Sequence, residues 1–115
     1  MPGGPDPDSL RVAKLFVDRI RGDYPVMRAL LYGSRARGDA RPDSDLDVAL
    51  ILGGPKGRSI VVGPDMAGKG FEVALENGIF ISPLPIWEEE WRDPDRHANP
   101  WLIRNIWDEG VDVDG

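Results

Sequence analysis

Apolar residues recur along the chain at spacings typical of helices and strands in alternation. Near the start, helical spacing predicts a helix over residues 9–21, capped by Asp8 or Ser9 and ended by Gly22. The same rules predict, in order, a strand at 26–32, a helical turn at 34–38, a strand at 45–52, a loop at 53–59, a helix at 64–77, a strand at 79–86, an acidic turn at 88–91, a helix at 100–109 and a short strand at 111–113. The apolar run 59–62 is too short to assign.

This order of elements predicts an α/β (α+β) fold in which a small mixed β-sheet is packed with helices. Residues 9–115 are expected to form a single domain, and residues 1–8, rich in proline and glycine, a flexible amino terminus. Proline cannot donate to a sheet ladder, so the strand that contains Pro83 and Pro85 is expected at an edge or to end early.

Composition narrows the class of protein. The 115 residues include no cysteine, which excludes a disulfide framework and thiolate metal sites. No apolar stretch is long enough for a membrane span and no signal-peptide pattern opens the chain, so a cytoplasmic protein is expected. The net charge of −6 argues against a broad nucleic-acid surface. Arg35, Arg37 and Arg41 still form a local cationic group that suits a small polyanion such as a nucleoside triphosphate.

Two carboxylates open the second predicted strand. Asp45 and Asp47 are two positions apart, so in an extended chain they share a face and lie roughly 6.6 Å apart. Two like charges beside apolar residues need a cation, and carboxylate oxygens favour Mg²⁺ shared with substrate phosphates. Upstream, Gly33 ends the first strand, where a missing side chain lets a phosphate approach the backbone. The 34–38 turn would aim N–H groups at such an anion.

The stretch from Leu30 to Leu52 carries a resemblance to a known family. Its Gly-Ser pair, a ten-residue gap and Asp-Leu-Asp-Val resemble the signature of the nucleotidyltransferase superfamily that includes DNA polymerase β. Gly-Ser-Arg-Ala-Arg-Gly followed by Ser-Asp-Leu-Asp is similar, more narrowly, to the minimal nucleotidyltransferases of prokaryotes. The resemblance implies a polymerase β-type fold.

The same resemblance implies an activity and a set of site residues. A nucleotidyl group would move from a nucleoside triphosphate, ATP in the first instance, to an acceptor hydroxyl. Its implied residues are Asp45 and Asp47 as catalytic metal ligands for Mg²⁺, Gly33 and Ser34 at the phosphates, and Arg35 and Arg37 as neutralising charges. Many similar proteins work beside a small helical partner of the HEPN class, as the antitoxin of a toxin–antitoxin pair. Self-association is left open, and no membrane partner is expected.

One feature departs from the family pattern. Active members carry a third carboxylate on the strand after the central helix, whereas that strand here offers only Ser82 as a polar side chain. Glu72 or Glu76 could approach from the helix, although both are expected to face solvent. The rival hypothesis is therefore a non-catalytic nucleotide-binding or protein-interaction module. The run 63–70 resembles a phosphate-binding P-loop but has Gly70 where that motif needs serine or threonine.

Overall fold

The computed structural model of the protein describes residues 4–54 and 59–114. Its helices are α1 (Pro7–Arg21), α2 (Ser34–Arg37), α3 (Ser59–Asn77), α4 (Glu88–Arg92) and α5 (Pro100–Glu109), with a 3₁₀ turn at Pro94–Arg96. Its strands are β1 (Val26–Tyr32), β2 (Leu46–Leu52), β3 (Ile81–Trp87) and β4 (Val111–Asp112). The predicted structure of residues 1–3, most of the 53–59 loop and Gly115 lies outside the described residues.

The four strands form one mixed sheet in the order β3-β2-β1-β4. β1 runs antiparallel to both β2 and β4, whereas β2 and β3 are parallel and are joined by the α3 crossover. The predicted mixed sheet and its α/β class are confirmed. β3 lies at an edge of the sheet, as its two prolines indicate.

Apolar side chains of the strands bury both faces of the sheet. On β2, Val48 and Leu50 are buried on the face that packs against α1 and α3, while Ala49 and Ile51 belong to the cluster on the opposite face, with α5. Alternation along the strand therefore directs Asp47 to the α5 face, two positions before Ala49. The helices thus form two layers around the sheet, and the aspartate lies at the open end of the α5 side.

Two helix starts differ from the sequence prediction. α1 begins at Pro7, because the Asp6 carboxylate accepts a hydrogen bond from the backbone N–H of Ser9 and proline suits the first helical position. α3 begins at Ser59 rather than at Pro64, which lies inside it. Val62 and Met66 are both buried one turn apart, and this packing holds the helix across the proline. No helix in the described residues is long and apolar enough to cross a membrane.

Candidate active site

Three polar side chains lie at the same level on neighbouring strands. Tyr32 of β1 pairs with Asp47 of β2, and Asp47 pairs with Ser82 of β3. Tyr32 packs against the cluster on the α5 face, and alternation places the other two side chains on that face as well. Gly33 directly follows Tyr32, and Asp45 comes two residues before Asp47. Sheet register therefore brings the Gly-Ser corner and both aspartates to one end of the sheet.

Gly33 lies against the Asp47 carboxylate. Its backbone has φ +77° and ψ −158°, a conformation that is essentially reserved for glycine. A Cβ built on Gly33 would overlap Oδ2 of Asp47. The absence of a side chain is therefore required twice at this corner, by the backbone conformation and by the neighbouring carboxylate.

The electrostatics of Asp47 are those of an anionic site that is only partly compensated by a cation. Burial raises the pKa of Asp47, the charge of Asp45 raises it further, and the charge of Arg37 opposes both. Burial, with a smaller effect of the Asp47 charge, raises the pKa of Tyr32 to about 12, so its hydroxyl stays protonated at neutral pH.

The donor set fits a hard divalent cation. Asp45 is exposed and Asp47 half-buried, so both present carboxylate oxygens of the kind that Mg²⁺ prefers. Within the described part of the chain, no group of three histidine, cysteine or acidic side chains is arranged to hold a metal ion. The two aspartates could therefore supply only part of a coordination shell, with water and substrate oxygens as the remainder.

Arg35 is buried beneath the corner. Its guanidinium donates to the backbone carbonyl of Ser44 at 2.8 Å and of Pro42 at 3.2 Å, and to the Ser9 hydroxyl at 3.1 Å. Ser9 in turn donates to Asp6. These bonds connect the loop that precedes Asp45 to the start of α1. Arg35 therefore affects the site indirectly, by holding that loop in position.

Replacing Arg35 with methionine should lower the free energy of unfolding by about 2 kcal/mol, because the two carbonyl groups lose their buried donor. Thermal unfolding followed by circular dichroism measures the effect. Arg37→Met is the matched control, since Arg37 belongs to the same helical turn and is exposed. Equal melting temperatures for the two variants would contradict a structural role for Arg35.

Arg37 is exposed and directed toward the site. It lies between two carboxylates, with Nε 3.2 Å from Asp39 and Nη1 3.3 Å from Glu109. Its charge also opposes the rise in the pKa of Asp47 that burial and Asp45 cause. Ser34, half-buried, is the first residue of α2 beside the same corner.

Glu109 is a site residue that sequence reasoning missed. Its Oε1 accepts a hydrogen bond from the backbone N–H of Gly33 at 3.2 Å, and its carboxylate pairs with Arg37. The antiparallel pairing of Leu31 with Val111 brings the end of α5 to the corner. No local pattern indicates this, because Glu109 and Gly33 are 76 residues apart.

The other sequence candidates lie elsewhere. The Glu72 carboxylate points away from the corner and pairs with Arg19 of α1 at 3.0 Å. The Glu76 carboxylate lies 3.9 Å from the same arginine. Both glutamates therefore belong to the α1–α3 layer, on the far side of the sheet. The P-loop-like run 63–70 forms the middle of α3 rather than a loop.

Comparisons with known proteins bear on the family and the fold of the chain. A sequence model of the nucleotidyltransferase domain matches residues 13–114. No curated protein matches the chain. A crystal structure from Sulfolobus solfataricus, of a protein whose assignment as a nucleotidyltransferase is itself provisional, is 20% identical with a TM-score of 0.51. The alignment covers 96% of this chain and 89% of that one, and it supports the fold. On the family match, the chain belongs to the nucleotidyltransferase domain family.

Proposed function

We propose that the protein transfers a nucleotidyl group from ATP to an acceptor hydroxyl in a Mg²⁺-dependent reaction. The observation that carries the proposal is the packing of Gly33 against the Asp47 carboxylate in a chain of this family. The backbone at Gly33, which a phosphate could approach, and the carboxylates of Asp45 and Asp47, which could hold a cation, would then lie at one corner. The acceptor hydroxyl would lose its proton to solvent as its oxygen bonds to the α-phosphorus of ATP. The bond from the α-phosphorus to the oxygen that bridges it to the β-phosphorus would break, and pyrophosphate would leave with that oxygen.

Each site residue has a role in this proposal. Gly33 and Ser34 would receive the phosphates, because the corner has no side chain at its tightest point. Arg37 would neutralise phosphate charge, being exposed beside the site. Arg35 would act indirectly, by holding the loop before Asp45 in position. Asp45 and Asp47 would hold Mg²⁺, which when bound supplies charge neutralisation and favours the deprotonated acceptor hydroxyl.

A protein acceptor in the cytoplasm is the finer version of the proposal. The family resemblance suggests a role as the antitoxin partner of a HEPN-type protein, which the chain would modify by nucleotidylation. The chain's net charge of −6 favours a protein over a long nucleic-acid acceptor. Two copies of the chain could also assemble in such a complex.

One observation favours a second function. Ser82 pairs with Asp47 across the parallel strands, at the level where a third carboxylate would be expected from the family pattern. A serine hydroxyl is a poor base and a weak metal ligand compared with a carboxylate. The second candidate is therefore a module that binds nucleotide or a protein partner without catalysis.

The decisive experiment incubates the protein with Mg²⁺ and ATP labelled at the α-phosphate, together with hydroxyl-bearing acceptors that include proteins. We expect label on an acceptor together with release of pyrophosphate, and neither in EDTA. With ATP labelled at the γ-phosphate, the label should leave with pyrophosphate and none should reach the acceptor. ATP affinity, measured by calorimetry, should fall in Asp45→Ala. Binding without transfer would select the non-catalytic module, and absence of both would overturn nucleotide recognition.

A further inference from the structure

The Glu109 carboxylate lies where an anionic ligand would be expected to bind. It takes a hydrogen bond from the Gly33 N–H at 3.2 Å, and its two oxygens lie 3.4 and 3.3 Å from Nη1 of Arg37. A backbone N–H and a guanidinium together form a typical donor set for phosphate. The molecule therefore already presents an anion to two donors that the proposed function assigns to the nucleotide.

We propose that Glu109 is an internal competitor for the phosphate subsite, and that polyphosphate binding displaces its side chain from Gly33 and Arg37. This inference rests on the proposed function and adds a regulatory step to it. A bound phosphate and the carboxylate would both require the Gly33 N–H, and their like charges would repel at that distance. The two anions therefore exclude one another.

Glu109 has the freedom to leave. Its side chain is 32% exposed, so part of it already faces solvent and it can rotate outward. The residue is the last of α5, and the helix end is secured independently by the hydrogen bond from the Gly110 N–H to the Ile106 carbonyl at 2.8 Å. Arg37 keeps a second partner in Asp39 when Glu109 moves. Displacement therefore needs only a change of side-chain rotamer.

The sign of one affinity change tests this inference. Calorimetry should show that Glu109→Gln binds Mg²⁺–ATP and inorganic tripolyphosphate about fivefold more tightly than the wild type. The neutral amide is held less tightly by Arg37 and does not repel phosphate, so the subsite is free in a larger fraction of molecules. Asp108→Asn is the matched control, since it removes the same charge from the neighbouring exposed residue. Its gain in affinity should be clearly smaller. The amide resonance of Gly33 reports directly on the displaced hydrogen bond and should move in wild type when tripolyphosphate is added.

The possible results separate the two proposals. If wild type binds and Glu109→Gln binds equally or more weakly, Glu109 positions the donors instead of competing for them, and the inference fails alone. If Asp108→Asn gains as much as Glu109→Gln, general charge removal explains the effect and the inference also fails. If neither wild type nor Glu109→Gln binds either probe, the proposed nucleotide site fails and the inference falls with it. Tight binding only in Glu109→Gln supports both.

Discussion

Gly33→Ala should lower the melting temperature by about 12 °C and remove detectable binding of Mg²⁺–ATP. A side chain in the φ +77°, ψ −158° conformation is strained, which we expect to reduce the free energy of unfolding by about 3 kcal/mol. The added methyl group also displaces the Asp47 carboxylate, which it would otherwise overlap. Differential scanning fluorimetry with and without ligand measures both effects in one experiment.

Gly78→Ala is the matched control for this variant. Gly78 also has a positive φ, +75°, but a Cβ there would meet no heavy atom within 4 Å. The Gly78→Ala variant has the conformational cost of a positive φ but no side-chain overlap with an aspartate. It should therefore be less stable than the wild type and should still be stabilised by added ligand. Loss of ligand-induced stabilisation in both variants would show that strain alone, rather than the Gly33–Asp47 packing, governs binding.

Asp47→Asn should reduce nucleotidyl transfer about 100-fold or more while stabilising the ligand-free protein. The amide cannot serve as an anionic ligand for Mg²⁺, so transition-state stabilisation is lost. In the folded protein without ligand, the same substitution removes a half-buried charge and its repulsion with Asp45. Because solvent screens part of this charge and Arg37 offsets some of it, we expect a gain of only about 0.5 kcal/mol, or about 2 °C in melting temperature, at neutral pH. Activity and stability therefore change in opposite directions.

The pH dependence of stability tests whether the raised pKa of Asp47 causes the gain in stability. Because the folded-state pKa of Asp47 is raised above its unfolded value of 3.8, the protonated form favours folding, and stability from this group falls as pH rises through the interval between the two values. Asp47→Asn should lack that decrease. Asp43→Asn, a change of the same charge at an exposed position of the neighbouring loop, should retain it. A decrease of equal size in wild type and Asp47→Asn would assign it to other groups.

Local signals predicted much of the fold. The bounds predicted for β1 and α5, 26–32 and 100–109, are those of the structure, because proline and glycine mark their ends. The Gly-Ser corner and the aspartate pair were predicted from residue type, spacing and the family resemblance, and the strand register places them at one end of the sheet. Where the prediction was wrong, at the start of α3, long-range burial of Val62 and Met66 outweighed the local preference of Pro64 for a first turn.

The remaining features of the site depend on contacts between distant parts of the chain. Arg35 and Arg37 look alike in sequence, yet α2 turns one into the protein toward Ser9 and leaves the other exposed. Glu109 reaches Gly33 through the pairing of β4 with β1. No local pattern distinguishes such residues from ordinary surface charges, because what sets their environment is the register of strands far apart in the chain.

The two borders of the sheet limit how this protein can associate with others. Pro83 and Pro85 remove two N–H donors from the outer side of β3, and β4 at the opposite border is only two residues long. Neither border therefore offers the row of free amides and carbonyls that recruits a strand from another molecule. Templated aggregation through open strands is thereby disfavoured, and any complex that the chain enters should be built on its helices and loops.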